Sequence, residues 1–186
     1  MELLETWPYG VMVITLLVAG VTDFRTGKIY NWLTYPVVAV GLVGHTLVGG
    51  LGGNDFSMGL AGSLAGLAVG FAPMLLAWMA GGIGGGDAKL MAAVGALAGW
   101  TFALSAMFFG FAVAALMALA VMIRHKLVKR TMGRIWRFIS LVIVRGRPAD
   151  PTAPESRKIA FGIALCVGSA IALVELILSN RLIVEY

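Results

Sequence analysis

The residues best suited to chemistry in this chain are two of its aspartates. Only nine of the 186 residues are Asp or Glu. Asp23 follows the first apolar segment, and Asp87 follows a segment with five glycines between residues 81 and 86. Two carboxylates held close together can share one proton, so that one takes a proton from water while the other donates one. Such a pair could hydrolyse a peptide bond unaided, with either aspartate as the base.

Other catalytic arrangements are not evident. A zinc protease would need two histidines in an HExxH pattern, but His45 and His125 are far apart in the sequence. Ser63 has no evident histidine on its side of the membrane to act as a base. The single cysteine, Cys166, lies in an apolar segment, so we expect it to pack rather than to bind metal. We therefore expect neither a metal site nor a cofactor.

Apolar segments long enough to cross a membrane position the two aspartates. The chain is 60% hydrophobic and its mean hydropathy is +0.93, whereas a soluble domain would need a more polar surface. We predict an all-α, polytopic integral membrane bundle of about six transmembrane helices that forms one domain over residues 1–186. The fourth and fifth spans separate at Gly99–Thr101, because one helix over 88–123 would be about 54 Å long; the fourth could be re-entrant. The predicted spans are 7–22, 33–50, 59–80, 88–101, 102–123 and 159–179.

The distribution of Lys and Arg predicts the orientation of these helices. All of these residues except Arg181 fall in the connections after the first, third and fifth spans or, for Lys89, directly after the third connection. Because Lys and Arg are enriched in cytoplasmic connections, we expect these three connections to be cytoplasmic. Two crossings separate Asp23 from Asp87, so both carboxylates are expected at the cytoplasmic face.

A basic segment lies between the fifth and sixth predicted spans, over residues 124–157. Its basic residues recur at three- and four-residue spacing over 124–145, with apolar residues on the opposite face. This pattern is typical of an amphipathic helix on a membrane surface. Residues 146–156 contain three prolines and are predicted to form a loop. We expect anionic lipids, rather than nucleic acid, to be the partner of this cytoplasmic segment.

The glycine-rich segment is poorly suited to a helix interior, where glycine costs roughly 1 kcal/mol relative to alanine. We therefore expect the third helix to end there and Asp87 to begin the next one. Asp87 could instead have a purely structural role, as the cap of this helix, rather than a catalytic one. Gly84, Gly85 and Gly86 could let a substrate strand lie close to exposed backbone amides.

Three polar side chains, those of Asp23, Asn31 and Lys89, could have structural roles instead of functional ones. Asp23 could close the first helix by pairing with Arg25 or Lys28. Asn31 is placed to cap the second helix or to contact substrate. Lys89 is better suited to extending its ammonium group to the interface than to chemistry.

Glycines at four-residue spacing also occur within the third span, at Gly62, Gly66 and Gly70. Such spacing allows another helix to approach closely. One hypothesis is that the apolar helix of a substrate packs there.

Three motifs resemble those of the type IV prepilin peptidases, which are aspartic membrane proteases. Residues 23–31, DFRTGKIYN, resemble their Asp-x5-Ile-Pro-Asn motif, with Tyr30 in place of proline. Residues 84–90, GGGDAKL, resemble their Gly-x-Gly-Asp-x-Lys-Leu motif. Residues 158–164, KIAFGIA, are similar to a less specific motif at the start of their last span. The order of the motifs and the number of spans match over nearly the whole chain.

The resemblance implies that Asp23 and Asp87 are the catalytic pair. It implies cleavage of a short basic leader from prepilins, after glycine, at the cytoplasmic face of the bacterial inner membrane. Larger family members carry a cytoplasmic insert with paired cysteines that binds zinc and accompanies N-methylation. This chain resembles the compact class of Tad/Flp pili, so we expect a peptidase without methyltransferase activity. The alternative is a small ion- or proton-coupled transporter or channel subunit that uses the same two aspartates.

Overall fold

The chain forms a bundle of long helices. The structure, a computed structural model, describes residues 2–53, 58–124 and 161–184, and all regular secondary structure within them is α-helical. Five helices are long and apolar enough to cross a membrane, which confirms the prediction of a polytopic helical membrane protein. The helices are α1 (Glu2–Thr26), α2 (Asn31–Gly49), α3 (Gly59–Met79), α4 (Gly85–Arg124) and α5 (Phe161–Val184).

The chain divides into two compact units. One comprises Met1–Ala114 with Ala160–Tyr186, and the other comprises Ala115–Ile159. Both candidate aspartates belong to the first unit. The predicted surface helix at 124–145 and the predicted loop at 146–156 lie outside the described residues apart from Arg124, and they stay predictions, as does the single domain.

The 40-residue helix α4 is interrupted at Gly99, where φ is 85° and ψ is 175°. This confirms the predicted separation of the fourth and fifth apolar segments, which are the two parts of α4. Where a helix is interrupted, the carbonyl groups of its last turn lose the amides that would have followed four residues later in the helix. Two side chains from neighbouring helices bind carbonyls just before the break. Ser63 Oγ donates to the Ala96 carbonyl at 2.6 Å, and His45 Nε2 lies 2.9 Å from the Leu97 carbonyl oxygen.

The first part of α4 forms the centre of the bundle. Leu90, Met91 and Val94 are almost fully buried there, so this segment is surrounded by protein. Glycines make the close packing of α3 on this segment possible. A β-carbon on Gly66 would collide with the Gly95 carbonyl, and one on Gly70 would collide with the Met91 carbonyl.

This packing changes the interpretation of the glycines in α3. Gly66 and Gly70 are buried and contact α4, and a β-carbon on Gly62 would lie 2.7 Å from the Met58 side chain. A substrate helix therefore cannot pack on Gly66 and Gly70, because α4 already occupies their surface, whereas packing at the half-buried Gly62 stays a hypothesis.

Candidate active site

Asp87 lies in the first turn of α4 and closes that end of the helix. Its Oδ2 accepts a hydrogen bond from the Gly84 amide at 3.0 Å, and its own amide donates to the Gly84 carbonyl at 3.1 Å. The expectation that Asp87 begins the helix is wrong by two residues, because α4 begins at Gly85. An acidic side chain in the third helical position can reach back to the amide preceding the helix. The positive end of the helix dipole also favours a carboxylate there.

Asp23 lies in the last turns of α1 and is bound by the start of another helix. Its Oδ2 accepts a hydrogen bond at 3.0 Å from the amide of Ile163, which is 140 residues further along the chain. Amides in the first turn of a helix have no partner within that helix, and they point towards an anion at its N-terminus. The described partner of Asp23 is therefore α5, rather than the neighbouring Arg25 or Lys28.

The structure brings the two carboxylates into one neighbourhood. Ile29, in the short connection between α1 and α2, lies between their supports. A β-carbon on Gly86 would be 2.9 Å from the Ile29 carbonyl oxygen, and one on Gly162 would be 2.9 Å from Ile29 Cδ1. Asp23 and Asp87 are each less than a tenth exposed. Residues next to both aspartates therefore contact Ile29, which places the two carboxylates in the same part of the bundle.

The three glycines before Asp87 differ in their surroundings. Gly84 is exposed, whereas Gly85 and Gly86 are partly buried. A β-carbon on Gly85 would lie 3.3 Å from Trp78 Nε1, and Gly86 is in contact with Ile29. Of these glycines, Gly84 therefore offers the most accessible backbone beside Asp87.

Asn31 and Lys89 join the start of α2 to the start of α4. Lys89 Nζ donates to Asn31 Oδ1 at 2.8 Å and lies 5.1 Å from the centroid of the Tyr35 ring, which is a cation–π distance. The prediction that Asn31 caps α2 is wrong: the N-cap residue is Tyr30, and no side chain caps it. Tyr30 has φ −88° and ψ 144°, an extended conformation close to polyproline II. It therefore takes the local conformation that a proline at this position would favour.

Sequence reasoning did not assign a role to three residues that support the two carboxylates. Ile29 packs between the supports, Gly162 leaves space beside Asp23, and Ile163 supplies the amide. All three lie in the motifs at 23–31 and 158–164, so the motifs themselves could have indicated that these residues support the site. Residues 158–160 of the second of these motifs lie outside the described part of the chain.

The bond between Lys89 and Asn31 leads to a prediction about stability. We expect Lys89→Met and Asn31→Ala each to destabilise the protein modestly, and the double variant to lose less than the sum of the two. The expected coupling is about 0.5–1.5 kcal/mol, the range of one hydrogen bond. Thermal unfolding of the four proteins in the same detergent measures it. Additive losses would show that the two side chains act independently.

Comparisons with known proteins identify the family of the chain. The model of the type IV leader peptidase family matches residues 10–119. The chain is also 32% identical over 127 residues to the prepilin leader peptidase/N-methyltransferase of Bacillus subtilis (strain 168). This alignment covers 68% of the chain and 49% of the relative, so the chain spans about half the length of that curated protein. No solved structure gives a significant match. Because the family match covers more than half of the chain and includes both Asp23 and Asp87, the chain belongs to the type IV leader peptidase family.

Proposed function

We propose that this chain is a prepilin leader peptidase in which Asp23 and Asp87 form the acid–base pair. The observation that carries the proposal is the burial of two carboxylates, from α1 and α4, whose supporting residues both contact Ile29 and which are each oriented by a backbone amide. Family membership favours this reaction over the ion-coupled transporter that the same aspartates could serve.

The proposed mechanism uses one ionised and one protonated carboxylate. The ionised group takes a proton from water as the water oxygen attacks the carbonyl carbon of the scissile bond. The protonated group donates to the carbonyl oxygen, which gives a tetrahedral diol. Proton transfer to the amide nitrogen then allows the C–N bond to break, and the leader leaves with a new carboxylate. Both backbone amides bind Oδ2, so we assign these transfers to Oδ1 of each aspartate.

The substrate strand is proposed to lie beside the exposed Gly84. A peptide bond in the site must be extended for both carboxylates to reach it, and an extended strand needs hydrogen-bond partners. The backbone preceding α4 is accessible at Gly84 and lies next to Asp87; its amide already binds Asp87, so the second lone pair of its carbonyl oxygen is the group proposed to accept from the strand. This arrangement would present the scissile carbonyl to the pair without a side chain in the way.

The proposed function also includes the site of cleavage in the cell and the chemical form of the product. We propose cleavage at the cytoplasmic face of the bacterial inner membrane, in the compact class of Tad/Flp pili and without methylation of the new N-terminus. The distribution of Lys and Arg supports the orientation. The single cysteine supports the absence of methylation, since the resemblance associates methylation with paired cysteines. Mass spectrometry of the mature pilin, formed with a methyl donor present, tests this: a methylated N-terminus would contradict it.

Leader removal by the purified protein tests the proposed function. The protein is placed in bilayers with full-length prepilins of several types, and the products are identified by mass spectrometry. We expect two products from a single cut between leader and pilin. If no prepilin is cut while the bilayers show aspartate-dependent ion flux, the transporter would replace the peptidase.

Gly162→Ala is expected to slow cleavage by roughly 10- to 100-fold while the protein stays folded. A β-carbon there would lie 2.7 Å from Asp23 Oδ2, so the carboxylate must move, and small displacements of reacting groups are costly. The matched control is Gly10→Ala, because a β-carbon on Gly10 meets nothing within 4 Å. Initial rates of leader removal at equal protein amounts measure the effect. Equal rates for the two variants would show that the position of Asp23 does not depend on Gly162.

A further inference from the structure

An apolar groove runs along the outside of the bundle between α1 and α5. Its volume is about 750 Å³. We call it the α1–α5 groove. Its lining includes, on α1, Leu17, Gly20, Val21, Phe24 and Arg25 and, on α5, Ile163, Val167, Ala170 and Val174.

One end of the groove lies next to the candidate active site. At one end it is lined by Phe24, which follows Asp23, and by Ile163, whose amide binds the Asp23 carboxylate. From this end it follows each helix for about three turns, or roughly 16 Å. This is about half of the hydrocarbon thickness of a bilayer. A chain that leaves the groove at this end therefore emerges next to Asp23.

The surface of the groove is suited to an apolar helix. Leu17 is 65% exposed, Val21 52% and Val174 55%, so large aliphatic side chains stand along its walls. Gly20 and Ala170 are small, and small residues allow a second helix to approach closely. A polypeptide in the hydrocarbon region must satisfy its own backbone hydrogen bonds, which makes a helix the form expected here.

We propose that the α1–α5 groove binds the apolar membrane helix of the prepilin substrate and delivers the adjoining leader junction to Asp23 and Asp87. The lining is apolar except for Arg25, which lies at the end near Asp23. The occupant must accordingly be apolar along its length and polar only where it reaches the site. A membrane helix that continues into a polar leader has this pattern. This proposal rests on the proposed function, because only a peptidase needs a peptide bond at that end.

Photo-cross-linking tests the proposal. The experiment uses a prepilin that the unsubstituted protein cleaves in bilayers, with a photoactivatable residue at successive positions of its apolar helix. Adducts are formed with the Asp87→Asn variant, so that binding is recorded without cleavage, and are mapped by mass spectrometry. We expect adducts on residues of α1 and α5 that line the groove, and positions on one face of the substrate helix should give most of them.

A matched pair of tryptophan variants gives a second measurement. Ala170→Trp fills the groove and is expected to reduce both adduct yield and cleavage of full-length prepilin by about tenfold. Leu76→Trp places the same bulk on α3, where Leu76 is 67% exposed, and should change neither. Because the adduct map does not depend on either variant, the proposal stays testable if Ala170→Trp fails to fold.

Three results would overturn the proposal while leaving the proposed function intact, provided that cleavage is observed. Adducts on the exposed faces of α2 or α3 would place the substrate elsewhere. Adducts spread evenly over all exposed helices would indicate that lipid occupies the groove. Adducts from a photoactivatable residue at Val167 to a second copy of this chain, undiminished by added prepilin, would make the groove a subunit interface. Failure of the unsubstituted protein to cleave any prepilin would instead remove both proposals.

Discussion

Asp23→Asn and Asp87→Asn are each expected to lower the rate of prepilin cleavage by about 10²- to 10⁴-fold. Asparagine keeps the size and shape of aspartate but can neither take up a proton from water nor donate an acidic one. Both side chains can still accept a hydrogen bond through the amide oxygen, so the contacts with Gly84 and Ile163 can persist. The measurement is the initial rate of leader removal by each variant in bilayers, at equal amounts of inserted protein.

Glu175→Gln provides the control for these two changes. Glu175 is a carboxylate in the membrane helix α5, but it is exposed and far along the helix from Ile163. Removing its charge should leave cleavage unchanged. If Glu175→Gln lowered the rate as much as either aspartate change, the losses would reflect a general effect of charge on the membrane protein. If either aspartate variant cleaved at the unsubstituted rate, that aspartate would not belong to the catalytic pair.

The largest effect on stability is expected from Gly66→Ala. The added β-carbon would collide with the Gly95 carbonyl oxygen, which is backbone and cannot rotate away. The helices α3 and α4 must then separate or shift, and overpacking of this kind costs typically 1–3 kcal/mol. The first part of α4 carries Asp87, so cleavage should fall as well. Thermal unfolding in detergent, followed by circular dichroism, measures the loss of stability.

Gly10→Ala is the matched control, since it makes the same chemical change in a helix with open space around the new methyl group. Alanine is the better helix former, so this variant should be as stable as the unsubstituted protein or more stable by up to about 1 kcal/mol. Equal stability of the two variants would show that α3 and α4 do not depend on close packing at Gly66.

The sequence was sufficient to predict that Asp23 and Asp87 lie at the same end of the bundle. Each follows an apolar segment, and an even number of crossings between them requires both at one face, whatever the details of packing. The break at Gly99 was predictable for a similar reason, because the length of the apolar segment exceeds one crossing. Both predictions depend on membrane thickness and helix rise, which are properties of any membrane helix.

Contacts between distant helices could not be predicted in this way. The amide that binds Asp23 comes from Ile163, and no spacing within either segment indicates which helix N-terminus will lie beside α1. The spacing of the glycines in α3 correctly indicated that a helix approaches closely, but it could not show that this helix is α4. Asn31 has the composition of an N-cap residue, but its side-chain oxygen instead accepts a hydrogen bond from Lys89. That ammonium group belongs to another helix, so the residues next to Asn31 in the sequence do not indicate this hydrogen bond.

The central claim is that the two aspartates act as one catalytic unit, and the double variant tests it most directly. The rates of leader removal by Asp23→Asn, Asp87→Asn and the combined variant are measured in the same bilayers with the same prepilin. Residues that act as a unit show non-additive losses, so the combined variant should cleave within about threefold of the slower single variant. A combined loss equal to the product of the two single losses would show that the aspartates act independently and would contradict the account.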